Sequence, residues 1–332
     1  MKNYLTLKII PILCLFISCN QKNVKVERVN IIPKTIIDSL YIQRAFNFLC
    51  LNDHIYVSDV RQTSGFIKIY NSDGVLCSEI GEIGNGPEEF TTPICIPYKD
   101  ESILIWNKYG RYNSAIIENI GDKTILNFTT MPINENVEYL QTDINGNLVI
   151  YDPSKENIIT LYSKDGKEIA SAGKLPYPQN ISNKKDIYSG KIAYNPYNKK
   201  LLLTLNKLPY AAVYTINNNK ITFLKEKQLE EDEYVVNNNE INIKYPGKGS
   251  MTEYCLTYDY IVSIYNDPDY TGSDHSQTSP GRNTVGVYDY NLNLIKIANI
   301  NMPRQKLASQ GKNNSFYSIV LNPEYSIVKV DL

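Results

Sequence analysis

Short apolar runs broken by polar turn signals extend along the chain from Val24 to Leu332. The most regular of them ends on Asp or Asn and recurs six times, at 55–59, 103–107, 148–152, 201–206, 260–266 and 316–322. A shorter apolar run precedes each, at 49–51, 94–96, 140–142, 192–194, 254–257 and 307–309. A third follows, at 66–70, 114–117, 158–162, 211–216, 284–288 and 325–330. Turn residues such as Asp73-Gly74, Asp165-Gly166 and Asn217-Asn218-Asn219 then lead into a fourth, at 75–80, 125–128, 168–170, 221–224 and 294–297. Gly, Asn and Asp tolerate the positive φ of tight hairpins, so each set is expected to be a sheet of antiparallel strands. Its recurrence every 45 to 60 residues marks a repeat architecture.

The sixth set is incomplete. The chain ends at Leu332, directly after the third strand. A spare strand lies at the other terminus, where residues 24–32 alternate apolar and polar as a half-buried strand does. The expectation is that 24–32 completes the last sheet, closes the repeats into a circle and removes a loose edge. A two-layer sandwich would not explain six sets with one strand missing at one end and one spare at the other.

The first set is followed by Gly81-Glu82-Ile83-Gly84-Asn85-Gly86-Pro87-Glu88-Glu89-Phe90-Thr91-Thr92-Pro93. Strand ending in Asp, strand, Asp-Gly hairpin, strand, Gly-rich loop, Phe and Pro together resemble one blade of an NHL-type or TolB-like β-propeller. That resemblance implies an all-β, six-bladed propeller of four-stranded blades over residues 24–332. Later connections keep only fragments of the pattern, such as Met131-Pro132, Leu175-Pro176 and Met302-Pro303. Three close glycines could also suggest a phosphate cradle, but such a loop needs a helix N-terminus after it. Here a strand follows. The glycines are expected to let the chain cross between blades, Phe90 to plug the interface, and Pro93 to fix the start of the next strand.

The first residues read as a targeting segment. Lys2 and Lys8 precede an apolar stretch over 9–17 that is too short to span a bilayer. Leu15-Phe16-Ile17-Ser18-Cys19 resembles a bacterial lipobox, departing from it at the bulky Phe16. The resemblance implies a signal peptide over 1–18, a lipidated Cys19 and a linker over 19–23. Acyl chains on Cys19 would hold the protein at a membrane, each buried CH₂ contributing about 0.8 kcal/mol. The whole is similar to six-bladed propeller lipoproteins of Gram-negative envelopes, which implies an outer-membrane anchor. Asn20-Gln21-Lys22-Asn23 lacks an acidic export cluster, which favours the periplasmic side. Cys50, Cys77, Cys95 and Cys255 each lie in an apolar run without CxxC spacing, and buried free thiols are expected.

Charge adds little. The 34 basic and 35 acidic residues leave a net charge of −1, without the basic footprint of a nucleic-acid binder. The runs Glu230-Glu231-Asp232-Glu233 and Asn237-Asn238-Asn239 read as solvated loop. No Gly-x-Ser-x-Gly elbow occurs, and neither His54 nor His275 is tied by spacing to a nucleophile. Asp267, Asp269 and Asp274 start like a calcium loop, but Thr278 stands where the bidentate Glu belongs, so a polar loop is the simpler account.

The polar strand ends carry the functional expectation. In four-stranded blades Asp59, Asn107, Asp152, Asn206, Asn266 and Asn322 would ring one mouth of the channel, joined by Arg61, Tyr109, Arg111 and Arg282. Such residues also cap their own turns through side-chain bonds to backbone. The leading expectation is a cell-envelope module that binds a protein or glycan at that mouth, with no cofactor. The alternative is a lactonase-like hydrolase or lyase with an axial calcium ion.

Overall fold

The structure, a computed structural model, describes residues 25–99, 102–107, 114–120, 123–130, 137, 139–178, 180–231, 233–265, 283–321 and 323–332. For residues 119, 120 and 123 it describes the backbone.

Two short strands come first, β1 (Glu27–Asn30) and β2 (Lys34–Ile37). Blade one is β3 (Phe48–Leu51), β4 (His54–Ser58), β5 (Ser64–Asn71) and β6 (Leu76–Glu82). Blade two is β7 (Pro93–Pro97), β8 (Ile103–Asn107), β9 (Ser114–Ile120) and β10 (Lys123–Thr129). Blade three is β11 (Tyr139–Thr142), β12 (Leu148–Tyr151), β13 (Ile159–Tyr162) and β14 (Glu168–Ala172). After the single-turn helix α1 (Lys184–Ile187), blade four is β15 (Gly190–Asn195), β16 (Lys200–Leu205), β17 (Tyr210–Asn217) and β18 (Lys220–Gln228). A hairpin follows, β19 (Tyr234–Asn237) and β20 (Glu240–Ile243). Blade five is β21 (Tyr254–Leu256), β22 (Tyr260–Tyr265), β23 (Thr284–Asp289) and β24 (Leu294–Asn299). Blade six brings β25 (Arg304–Ala308), β26 (Ser315–Leu321) and β27 (Tyr325–Asp331).

The chain is an all-β, six-bladed propeller. The first strand of each blade is innermost, and these strands touch in the order β3, β7, β11, β15, β21, β25 and back to β3. Within a blade, neighbouring strands pair antiparallel. The turns follow from local chemistry. Asn71, Asp143 and Asp289 each accept the backbone N–H groups two and four residues ahead through Oδ1, which fixes a tight reversal.

Six apolar clusters hold the ring, one between each pair of neighbouring blades. A radial blade has a neighbour on both faces, so its strands carry apolar side chains on both, as in Ile103-Leu104-Ile105-Trp106, buried throughout. Between blades one and two, Phe90 is fully buried, meets the edge of Phe66 at 5.8 Å and stacks on Phe128 at 5.7 Å. Burying such a ring contributes about 2–3 kcal/mol. Gly81 lies at φ +84° with its Cα against the Phe66 ring, where a side chain would collide. Gly86 N–H donates to Glu89 Oε2 at 2.7 Å, and a Cβ on Gly84 or Gly86 would strike that carboxylate. The glycine loop therefore wraps the chain's own Glu89.

Ring closure uses different residues from those expected. The strand that completes blade six is β2, antiparallel to β27 with Thr35 opposite Val328, and not residues 24–32. The alternating segment instead supplies β1, which pairs parallel with β24 as a fifth strand of blade five. Pro33 is the physical divide, because it cannot donate to a ladder and separates the two pairings. The alternation is still meaningful, since Val29 and Ile31 pack into the cluster between blades five and six. The amino-terminal segment thus fastens two adjacent blades.

The stretch between blades four and five is also more ordered than expected. Asn238 and Asn239, at φ +50° and +61°, turn the β19–β20 hairpin, and Ile241 is buried beside blades three and four. Glu233, from the acidic run, pairs with Lys244 at 2.7 Å. Among the described residues no helix is long and apolar enough to cross a membrane.

Candidate functional site

The six innermost strands enclose a channel of about 220 Å³ whose lining includes Cys50, Cys95, Cys255, Tyr194 and Tyr254. At one end the channel widens into a cup of about 390 Å³, bounded by Arg44, Phe46, Asn47, Ile94, Tyr139, Lys191, Gln305, Lys306 and Tyr325. All but Tyr325, which opens β27, sit where the inner strands begin, so the cup lies on the face carrying the connections between blades.

Its charge comes from blades four to six. Lys191 in β15, Glu253 just before β21 and Lys306 in β25 stand at equivalent positions. Glu253 Oε2 lies 3.1 Å from Lys306 Nζ and 3.9 Å from Lys191 Nζ. Leu307 N–H donates to Glu253 Oε1 at 3.4 Å, and Lys191 Nζ donates to the Thr252 carbonyl at 2.8 Å. Arg44 adds a third cation, exposed at the rim, without a carboxylate in ion-pair range among the described residues. Lys191, Lys306 and Arg44 thus bring three basic side chains to the cup's described lining. Phe46, Tyr139 and Tyr325 are half-buried between them, while Asn47 and Gln305 supply neutral polar groups.

The deeper wall is neutral. Burial pushes the phenols of Tyr194 and Tyr254 up, helped by the charges of Asp143 at the first and of Tyr139 and Glu253 at the second. Burial also raises the thiols of Cys50, Cys95 and Cys255, Cys95 to about 12. These three are buried free thiols, as expected, but Cys77 is exposed. It lies on β6, the outermost strand of blade one, where no next strand covers it.

Of the strand-end residues, the described ones, Asp59, Asn107, Asp152 and Asn206, lie on the cup's side of the ring but not in its lining. Asp59 is buried, and its carboxylate accepts the N–H groups of Gln43 at 2.5 Å, Arg44 at 3.3 Å and Arg61 at 3.1 Å. Asn107 is buried too, and its Oδ1 accepts from Thr91 N–H at 3.2 Å, Thr91 Oγ1 at 3.0 Å and Thr92 N–H at 2.8 Å. In blades one and two the closing residue of the second strand therefore pins the segment that feeds the first. Asp152 caps its own turn through Ser154 N–H and Oγ. Asn206 follows β16, its N–H bonded to the Ser189 carbonyl at 2.9 Å. Arg61 is exposed on the turn after Asp59.

Cys19, Tyr109, Arg111, Asn266, Arg282, Asn322 and the calcium candidates Asp267, Asp269 and Asp274 lie outside the described residues. Among the described residues no three His, Cys, Asp or Glu side chains gather in a metal-binding arrangement. His54 is held locally, its Nδ1 3.0 Å from the Asn52 carbonyl.

The charged trio is not among the expected mouth residues, which lie at strand ends and not at strand starts. A signal was available: Lys191, Glu253 and Lys306 each directly precede one of the expected inner strands at 192–194, 254–257 and 307–309.

No protein-family model matches the chain, and no curated protein matches it. Among solved structures it is similar to a Bacteroides fragilis NCTC 9343 protein provisionally described as exported, with a TM-score of 0.55 and 9% identity over 92% of this chain and 98% of that one. It is also similar to a member of the DUF4221 family from Bacteroides vulgatus ATCC 8482, with a TM-score of 0.52 and 12% identity over 90% of this chain and 95% of that one. At such identities the likeness concerns the fold.

Proposed function

We propose that the chain is an exported, lipid-anchored envelope protein that binds a protein or glycan in the cup above its channel. The cup supports this reading. It is concave, falls within the roughly 300–1,000 Å³ of ordinary ligand sites, and converges charged, aromatic and amide side chains. Asp59 and Asn107 serve it indirectly, by fixing the segments that lead into β3 and β7. Export and anchoring rest on the 1–18 segment and Cys19, with the exported description of the Bacteroides fragilis protein as circumstantial support.

The test uses the full chain on a glycan array and as bait for an envelope fraction, beside a Lys191→Gln/Lys306→Gln variant. Retention by the native chain and loss by the variant are expected. Absence of any retained ligand, with turnover of a small molecule instead, would overturn the reading. Labelling with a radioactive fatty acid, lost in Cys19→Ala, tests the anchor.

A further inference from the structure

Resting on the cup as the binding site, we infer that its ligand is a linear sugar chain, which runs from the cup past Gln305 into a second hollow over blade five. That hollow has a volume of about 730 Å³ and lies between the last strand of blade four, the connection over 247–253 and blade five. Gln305 lines both it and the cup, while Thr252 and Glu253 line both it and the channel beneath the cup. The two depressions therefore share walls, and each by itself has the size of an ordinary ligand site. A ligand compact enough for the cup alone would leave the larger hollow unused.

The hollow also carries a polar group that the chain leaves unanswered. Ser250 lines it, and its Oγ is buried without a hydrogen-bond partner among the described residues. A hydroxyl so placed has given up water for nothing in return. A turn about χ1 to another staggered position offers it to a ligand instead. Gly249, at φ +70°, shapes the loop here: it lies so close to Glu230 that a Cβ would strike the side chain.

The lining selects a sugar chain over an extended peptide. A peptide laid along a sheet is held by main-chain groups. Around the hollow the N–H groups of Leu229, Gly247, Ser250, Thr252 and Ile264 are already bonded within the chain. What faces the ligand is side chains: Thr252, Tyr265, Tyr288 and Gln305 in the hollow, and Asn47 in the cup. Their hydroxyls and amides both donate and accept, as sugar hydroxyls do. Met251, Leu292 and Leu294 in the hollow and Phe46 in the cup add apolar surface for the C–H faces of the rings.

The test is calorimetric titration of the full chain with malto-, manno- and cello-oligosaccharides from disaccharide to hexasaccharide, beside a neutral hexapeptide of Ser and Asn. Binding of one ladder is expected, its hexasaccharide about tenfold or more tighter than its disaccharide. Thr252→Trp, which fills the hollow from an exposed position, should remove that gain. Ser250→Ala, which deletes one hydroxyl, should weaken the hexasaccharide about fivefold. Urea midpoints check that both variants fold. Equal affinity for every length would overturn the extension while keeping the cup as the site. A length gain that survives both variants would overturn the hollow as the path of the chain. Preference for the hexapeptide would overturn the sugar. Binding of no ladder at millimolar concentration would overturn this inference, leaving the array and pull-down to decide the broader function.

Discussion

Glu253 meets Lys306 at 3.1 Å across the seam between the fifth and sixth blades. Lys191 of the fourth blade lies 3.9 Å from the same oxygen, so one carboxylate ties three blades together at the cup. Glu253→Ala leaves two neighbouring ammonium groups without it and removes the acceptor of Leu307 N–H. Because the groups are partly wet, a loss of about 1–2 kcal/mol is expected. Urea midpoints at low and high salt check it: salt should shrink the gap from the native protein by screening the lysines.

Asp59 is a buried charge satisfied by three backbone N–H groups, one of them from its own turn. Asp59→Ala strands those donors and frees the segment that enters β3, at a cost of about 3 kcal/mol. Asp59→Asn keeps one acceptor oxygen and should lose about half as much. Chemical denaturation of both variants, with hydrogen exchange at Gln43 and Arg44, separates the two outcomes.

Gly74 turns blade one's outer hairpin at φ +83°, with its Cα against the Ile36 carbonyl of β2. Gly74→Ala should cost more than about 1 kcal/mol, through both the strained φ and the push on the closing strand. Limited proteolysis should then cut first at residues 34–40. Deleting the chain through residue 38 should abolish cooperative unfolding, whereas deletion through residue 26 should leave it intact.

Cysteine chemistry offers a fourth check. In the native protein Cys77 should react with a thiol reagent at neutral pH, while Cys50, Cys95 and Cys255 react only after unfolding. Alkaline pH should destabilise the ring. The Cys95 thiol titrates near 9.0 when exposed and at about 12 when folded, so the folded chain holds its proton longer than the unfolded chain. Its stabilising effect is full below the lower value and is lost progressively as pH rises towards the upper one. Urea midpoints falling steadily above pH 9.0 are expected, and Cys95→Ala should flatten that decline.

Much of this architecture could be read from residue order. The second strands 103–107, 148–152 and 201–206 match β8, β12 and β16 to within a residue, because both faces of a blade are buried and the apolar run survives intact. What escaped was set by pairing partners. Residues 24–32 alternate correctly, yet alternation names a buried face without naming the neighbouring strand, and Pro33 moves the chain on to blade six. The described residues of the acidic run do lie outside the strands, but the asparagines after it turn a hairpin, which escaped because three Asn in a row read equally well as loop. The cup was missed for a related reason: polar residues at both ends of a strand look alike in sequence, and only closure of the ring shows which end converges on the axis.

The direction of β1 fixes which way the molecule would hang. Glu27 pairs with Lys296 and Asn30 with Asn299, so the strand climbs from the far side of the ring towards the side of the cup. Whatever lies upstream of Glu27 therefore leaves from underneath. If Cys19 carries a lipid, the eight residues from it to Glu27 reach at most about 29 Å, and the tether meets the ring on the side opposite the cup. The opening would look away from the bilayer, towards whatever diffuses past.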